Sequence, residues 1–166
     1  MRLGVISDTH GHLNNTLAAA RMLTSLEVDA VLHCGDICSA AIPKLLAAWP
    51  THFVFGNCDT QFDQKEIRAA IAAAGLFCHG RFGDLELGGR KVALLHSDDA
   101  RRFQQTITSG EYDLVCYGHT HEAEQHREGK SLILNPGALY RANPPSLATV
   151  DLEKLEAVIV PLLLDT

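Results

Sequence analysis

Five short apolar runs in this chain end on residues that bind metal ions, and that repetition constrains the fold more than any other feature. Leu3-Gly4-Val5-Ile6 leads to Asp8 and His10, Ala30-Val31-Leu32-His33-Cys34 to Asp36, and His52-Phe53-Val54-Phe55 to Asn57. Residues 91–95 lead to His96, and residues 114–117 to His119 and His121. Each run has the length and bulk of a buried strand, and glycine or polar residues mark its exit. In an open α/β sheet with parallel strands the exits line one edge, where such sheets place their ligands. The pattern therefore predicts an α/β fold that gathers seven polar side chains from distant parts of the chain. Asp8 and His10, like His119 and His121, stand at i and i+2, a spacing that sends two side chains to one side from extended backbone.

Between the early strands the pattern turns helical. Leu13, Leu17, Ala20, Leu23 and Leu26 recur at helical spacing. Ser39 is suited to cap a helix carrying Ile42, Leu45, Leu46 and Trp49, with Pro43 in its first turn. Asp63 with Glu66 reads as a variant capping box ahead of Ile67, Ala70, Ile71 and Ala74. The second half is richer in strands. Residues 82–87 and 91–95 form a hairpin about Gly88-Gly89, and Asp98 is placed to cap a helix through Phe103 and Ile107. Residues 122–127 pair with 131–134, Asn135-Pro136-Gly137 makes a turn, and two strands near 146–150 and 155–163 follow. With no linker, repeat or low-complexity stretch, residues 1–166 read as one domain.

Bulk properties exclude several function classes. A net charge of -6 without a lysine or arginine run speaks against an extended nucleic-acid groove. No apolar span is long enough for a bilayer and the N-terminus lacks signal-peptide architecture, so a cytoplasmic protein with no membrane partner is expected. Five cysteines without CxxC spacing read as reduced thiols. The apolar content of the last strands is compatible with self-association into a homo-oligomer.

Imidazole combined with carboxylate and amide oxygen suits manganese, iron, nickel or zinc better than calcium or magnesium. Seven such ligands are too many for one tetrahedral ion but suit two divalent metal ions sharing a carboxylate. Asp8 and Asp36 cancel two of the four positive charges, and a hydroxide with a phosphodiester anion would balance the others.

Asp8-Thr9-His10, Gly35-Asp36, Gly56-Asn57-Cys58-Asp59, His96 and Gly118-His119-Thr120-His121 occur in the order and approximate spacing of the calcineurin-like metallophosphoesterases. With Leu32-His33-Cys34-Gly35-Asp36 and Asn135-Pro136-Gly137, the chain most resembles the small bacterial and archaeal phosphodiesterases of that superfamily. The resemblance implies a four-layer αββα sandwich of two mixed sheets flanked by helices, with a dinuclear centre between the sheets. It implies that Asp8, His10 and His121 hold one metal, that Asn57, His96 and His119 hold the other, and that Asp36 bridges. It also implies hydrolysis of a small phosphodiester by a hydroxide bridging two divalent metals, with Mn2+ first and Ni2+, Fe2+ or Zn2+ as alternatives. A phosphomonoesterase, or a non-catalytic protein-binding scaffold on the same fold, is the alternative reading.

Two positions depart from the wider superfamily. Where many members carry a histidine able to protonate the leaving oxygen, this chain has Cys58, followed by Asp59; both are candidate catalytic residues. A thiol in that place favours substrates with good leaving groups, unless His12 or the substrate supplies the proton. Relatives often read His-Gly-His where this chain has His96-Ser97-Asp98, and Asp98 is read as a helix cap first and a substrate group second. The remaining residues have plainer readings. His33 suits a buried histidine bonded to its neighbours, and His52, His79 and His126 suit the surface or strand edges. Cys34, Cys78 and Cys116 read as small core residues. Arg101, Arg102 and Arg141 read as solvated charges, Arg141 being the one near Asn135-Pro136-Gly137.

Overall fold

In the computed structural model, which describes residues 1–164, continuous burial of both faces of the central strands separates the chain into layers. The elements are β1 (Arg2–Ile6), α1 (Leu13–Ser25), β2 (Ala30–His33), α2 (Ile42–Leu45), β3 (Thr51–Phe53), α3 (Gln61–Ala73) and β4 (Phe77–Cys78). They continue as β5 (Phe82–Leu87), β6 (Arg90–Leu95), α4 (Ala100–Thr108), β7 (Leu114–Cys116), β8 (Ala123–Glu128), β9 (Ser131–Pro136), β10 (Ser146–Asp151) and β11 (Glu156–Pro161). One sheet has six strands in the order β11-β10-β1-β2-β3-β4, the other five in the order β5-β6-β7-β9-β8. Strands β1 to β4 run parallel, as do β6, β7 and β9, while β10, β11, β5 and β8 are antiparallel additions.

Period-2 side-chain alternation turns these sheets into a sandwich. Leu3, Val5, Ala30 and Leu32 meet Val92, Leu94, Leu114 and Leu132 between the sheets. Ile6 and Val31, one residue out of phase, pack outward against Ala19 and Leu23 of α1 and Ile67 and Ile71 of α3. Ala93, Leu95, Val115 and Ile133 face outward on the second sheet, against Ile107 and Phe103 of α4. The result is the αββα arrangement, and burial on both faces explains why the central strands read as continuous apolar runs.

Several local expectations are corrected. α2 is a single turn over Ile42–Leu45 without a side-chain cap, and residues 46–48 continue only as turns. The capping box of α3 begins at Thr60: its hydroxyl accepts from the Asp63 backbone N–H and Asp63 accepts from that of Thr60. α4 is capped by Asp99 and not Asp98, because the Asp98 carboxylate is drawn away into an ion pair with Arg81. Asn135 and Pro136 are the last residues of β9, so only Gly137 turns. The short strand β4 beside β3 is unforeseen, two residues being too few to leave a periodic signal. Among the described residues no helix is long and apolar enough to cross a membrane.

Candidate metal centre

The exits of β1, β2 and β3 from one sheet face those of β6 and β7 from the other, so the gathered residues come from two facing edges and not from one. The loops are stitched together by backbone: Asp8 N–H donates to Gly35 C=O (3.0 Å) and His10 N–H to Asp36 C=O (2.9 Å). Asp8, His10, Asp36, His119 and His121 all have positive φ, between 43 and 79°. The expectation of extended backbone at Asp8/His10 and His119/His121 is thereby corrected. Five non-glycine residues in the left-handed region cluster at one place, where side-chain aim is preserved at a backbone cost of about 1–3 kcal/mol each.

Asp8 is fully buried. Its Oδ2 accepts from Ser7 Oγ (2.5 Å) and from the His119 backbone N–H (3.1 Å). Its Oδ1 has no hydrogen-bond partner among the described residues, yet lies 3.2 Å from His121 Nε2, 3.8 Å from His10 Nε2 and 4.0 Å from His96 Nε2. A buried, unpaired carboxylate oxygen costs about 1–3 kcal/mol or more, and a cation among three imidazole nitrogens would remove that cost. His10 and His121 close the cluster, their Nε2 atoms 3.2 Å apart.

Asp36 lies between this cluster and a second. Its Oδ2 is 3.8 Å from His10 Nε2; its Oδ1 is 3.3 Å from His96 Nε2 and accepts the Cys58 backbone N–H at 2.8 Å. Burial pushes its pKa up, but the hydrogen bond and charge of His96, with the Cys58 contacts, hold it well below the usual carboxylate range. His96 is also buried; desolvation lowers its pKa, and the bond and charge of Asp36 outweigh this and raise it. Asn57 Oδ1 is 3.1 Å from His96 Nε2, and the His119 ring meets that of His96 edge-on at 5.1 Å.

The far ring nitrogens fix the tautomers. His96 Nδ1 faces Cys34 C=O at 2.8 Å and His121 Nδ1 faces Arg141 C=O at 3.2 Å. A carbonyl only accepts, so Nδ1 carries the hydrogen and the neutral ring turns a lone pair on Nε2 toward the centre. His10 Nδ1 instead meets Cys38 Sγ at 3.7 Å. Asp8, His10 and His121 gather on one side and His96, Asn57 and His119 on the other, with Asp36 turning one oxygen toward His10 and the other toward His96, and these are the residues that could hold divalent ions.

Cys58 is exposed at the mouth, and its Sγ falls within one group with His10 and Asp36. Asp59 is buried with both oxygens engaged, accepting from Cys38 N–H and Gly56 N–H at 2.8 Å each, so it ties the Asn57 turn to the loop after β2. His33 bonds Thr9 Oγ1 (3.1 Å) and accepts from Gly35 N–H (3.2 Å); complete burial, the largest influence, lowers its pKa to about 3. His12 accepts from Asn15 N–H at the start of α1 and stacks on Tyr140. Asp98 lies outside the centre, where Arg81 joins it to the Gly56 carbonyl.

Sequence reasoning passed over Ser7, Arg81 and the role of Asn135. Asn135 Nδ2 donates to Thr120 Oγ1 at 2.9 Å, bracing the loop that carries His119 and His121. The Asn-Pro-Gly motif was its signal. Arg81 left none, because contacts between residues of different loops have no spacing along the chain.

A model of the calcineurin-like phosphoesterase superfamily domain matches residues 1–155. A phosphodiesterase of Methanocaldococcus jannaschii is 31% identical over 161 residues, covering 94% of this chain and 96% of that one. The solved structure of a novel archaeal phosphodiesterase superposes with a TM-score of 0.89 at 28% identity, over 98% of this chain and 100% of the other. That of a predicted phosphoesterase from Streptococcus pneumoniae gives 0.71 at 25% identity, over 96% and 88%.

Proposed function

The chain belongs to the calcineurin-like phosphoesterase superfamily, and from that premise we propose that it hydrolyses a small phosphodiester at two divalent cations held by Asp8, His10, Asp36, Asn57, His96, His119 and His121. The archaeal relatives that are phosphodiesterases support the diester over a monoester. The observation that carries the reading is the pair of buried carboxylates: Asp8 with one oxygen left unpaired among imidazoles, and Asp36 with its two oxygens turned to different histidines. Manganese is the first choice of ion, with nickel, iron or zinc as alternatives. Free cysteines throughout the described residues support a reducing, cytoplasmic setting, and the chain is read as one catalytic domain.

Bound divalent ions would supply positive charge for the phosphoryl oxygens and ionise water at neutral pH. The protein's own residues do the rest. Cys34 and Arg141 carbonyls hold His96 and His121 in the tautomer that offers Nε2, and the Cys58 N–H fixes Asp36 between the two clusters. Burial and Asp36 push the Cys58 thiol up to about 11, so it keeps its proton at neutral pH and is a weak donor to a leaving oxygen. Diesters with good leaving groups are therefore the preferred substrates.

Hydrolysis of a bis-aryl phosphodiester by metal-stripped protein, with and without added manganese, tests the reading, and an aryl phosphomonoester run alongside tests the alternative. Metal-dependent turnover of the diester is expected. Asp36→Asn should lose activity by more than about 100-fold, beyond the usual cost of removing a group that only supports a ligand. Full rate in that variant with both metals retained would overturn the assignment.

A further inference from the structure

Cys58 stands beside the centre in a way that a proton donor alone does not require. Its Sγ, one nitrogen of His10 and one carboxylate oxygen of Asp36 all lie within 4.8 Å of one another, a group distinct from Asp8/His10/His121 and from Asp8/Asp36/His96. The backbone under it is fixed: Cys58 N–H donates to Asp36 Oδ1, and Asp59 accepts from Gly56 N–H and Cys38 N–H on either side of the turn. The side chain itself is exposed, and its Sγ accepts from Asn57 Nδ2 at 3.6 Å. Tetrahedral coordination by sulfur, nitrogen and oxygen sets donor atoms about 3.3–3.8 Å apart, within reach of a small rotation at Cys58.

We propose that Cys58, His10 and Asp36 form a thiolate-containing subsite on the solvent side of the centre, which takes a thiophilic d10 cation such as cadmium or zinc. Manganese, a harder ion, leaves the thiol protonated; a thiophilic ion replaces its S–H bond with a sulfur–metal bond and releases one proton, with no change of oxidation state. Because His10 and Asp36 are shared, the subsite rests on the metal-centre reading above. A thiophilic ion there withdraws both residues from the two-cation arrangement, so the predicted consequence is inhibition of manganese-supported hydrolysis. Cys38 does not serve, since its sulfur meets the opposite nitrogen of His10, Nδ1.

Cobalt(II) titration of the metal-stripped full chain reads the sulfur directly. The wild type should develop a near-ultraviolet thiolate-to-cobalt band, which Cys58→Ser abolishes while still binding cobalt and Cys38→Ser retains. Alkylation of Cys58 by iodoacetamide, followed by mass spectrometry, should slow about tenfold at cadmium ten times its dissociation constant. Cobalt bound without a thiolate band, or a band lost in Cys38→Ser and kept in Cys58→Ser, overturns the subsite and leaves the two-cation centre standing. No cobalt binding at all overturns both.

Discussion

At the residue scale the centre depends on atoms that have nowhere else to go. Asp8 is buried with one oxygen bonded twice and the other left among imidazole nitrogens. What presses the His119 backbone against it is the absence of a side chain at Gly118, where a Cβ would collide with Ser7 Oγ and approach Asp8 Oδ2 to 2.7 Å. Gly118→Ala should therefore push the His119–His121 loop away from Asp8. Metal affinity measured by calorimetry is expected to fall about 10- to 100-fold, as for loss of a group that orients a ligand. Unchanged affinity would show that the close approach is incidental. A second residue-scale effect concerns acid. His52 Nδ1 and His79 Nε2 share a hydrogen bond at 2.9 Å, and burial, with His79 adding to it, lowers the His52 pKa to about 4. The unfolded chain binds that proton more readily, so stability is full above about pH 6.5 and is lost as pH falls from there toward 4. Urea midpoints of metal-free protein between pH 7.5 and 5 should fall, and His52→Gln should flatten the slope.

Elements matter here chiefly through their ends. The turn after β3 carries Asn57, Cys58 and Asp59 and runs directly into the Thr60 cap of α3. Thr60→Ala removes the hydroxyl that accepts from Asp63 N–H, costing about 1 kcal/mol, which for a chain of this size lowers the melting temperature by about 2–4 °C. Because Asp59 stays pinned by two backbone N–H groups, metal stoichiometry is expected to be unaffected. Loss of one equivalent on elemental analysis would mean that the cap, too, holds the turn. Elements were also where pattern reading did best and worst. Strands with both faces buried and α1 with its long apolar periodicity were legible. Which of two adjacent aspartates caps α4 was not, because Arg81, 17 residues before Asp98, decides it.

Across the whole molecule, the inter-sheet layer sets the distance between the two edges that carry the proposed ligands. Leu94 is fully buried there, two residues before His96. Leu94→Ala should cost about 2–5 kcal/mol in denaturant unfolding, the range for a buried leucine that leaves a cavity. A cost under about 1 kcal/mol would mean that the sandwich closes over the gap without difficulty.

The sequence by itself determined the α/β class and the residues offered at each strand exit, because side-chain period and strand length are local properties that survive in one dimension. Only the tertiary structure decided how those residues share the space. It sorted His121 toward Asp8 and His119 toward His96, left one oxygen of Asp8 unpaired, drew Asp98 out of its cap, and set the Cys58 sulfur beside Asp36. Each of those outcomes depends on the packing of one sheet against another and on the left-handed backbone of the exit loops, and neither has any periodicity along the chain.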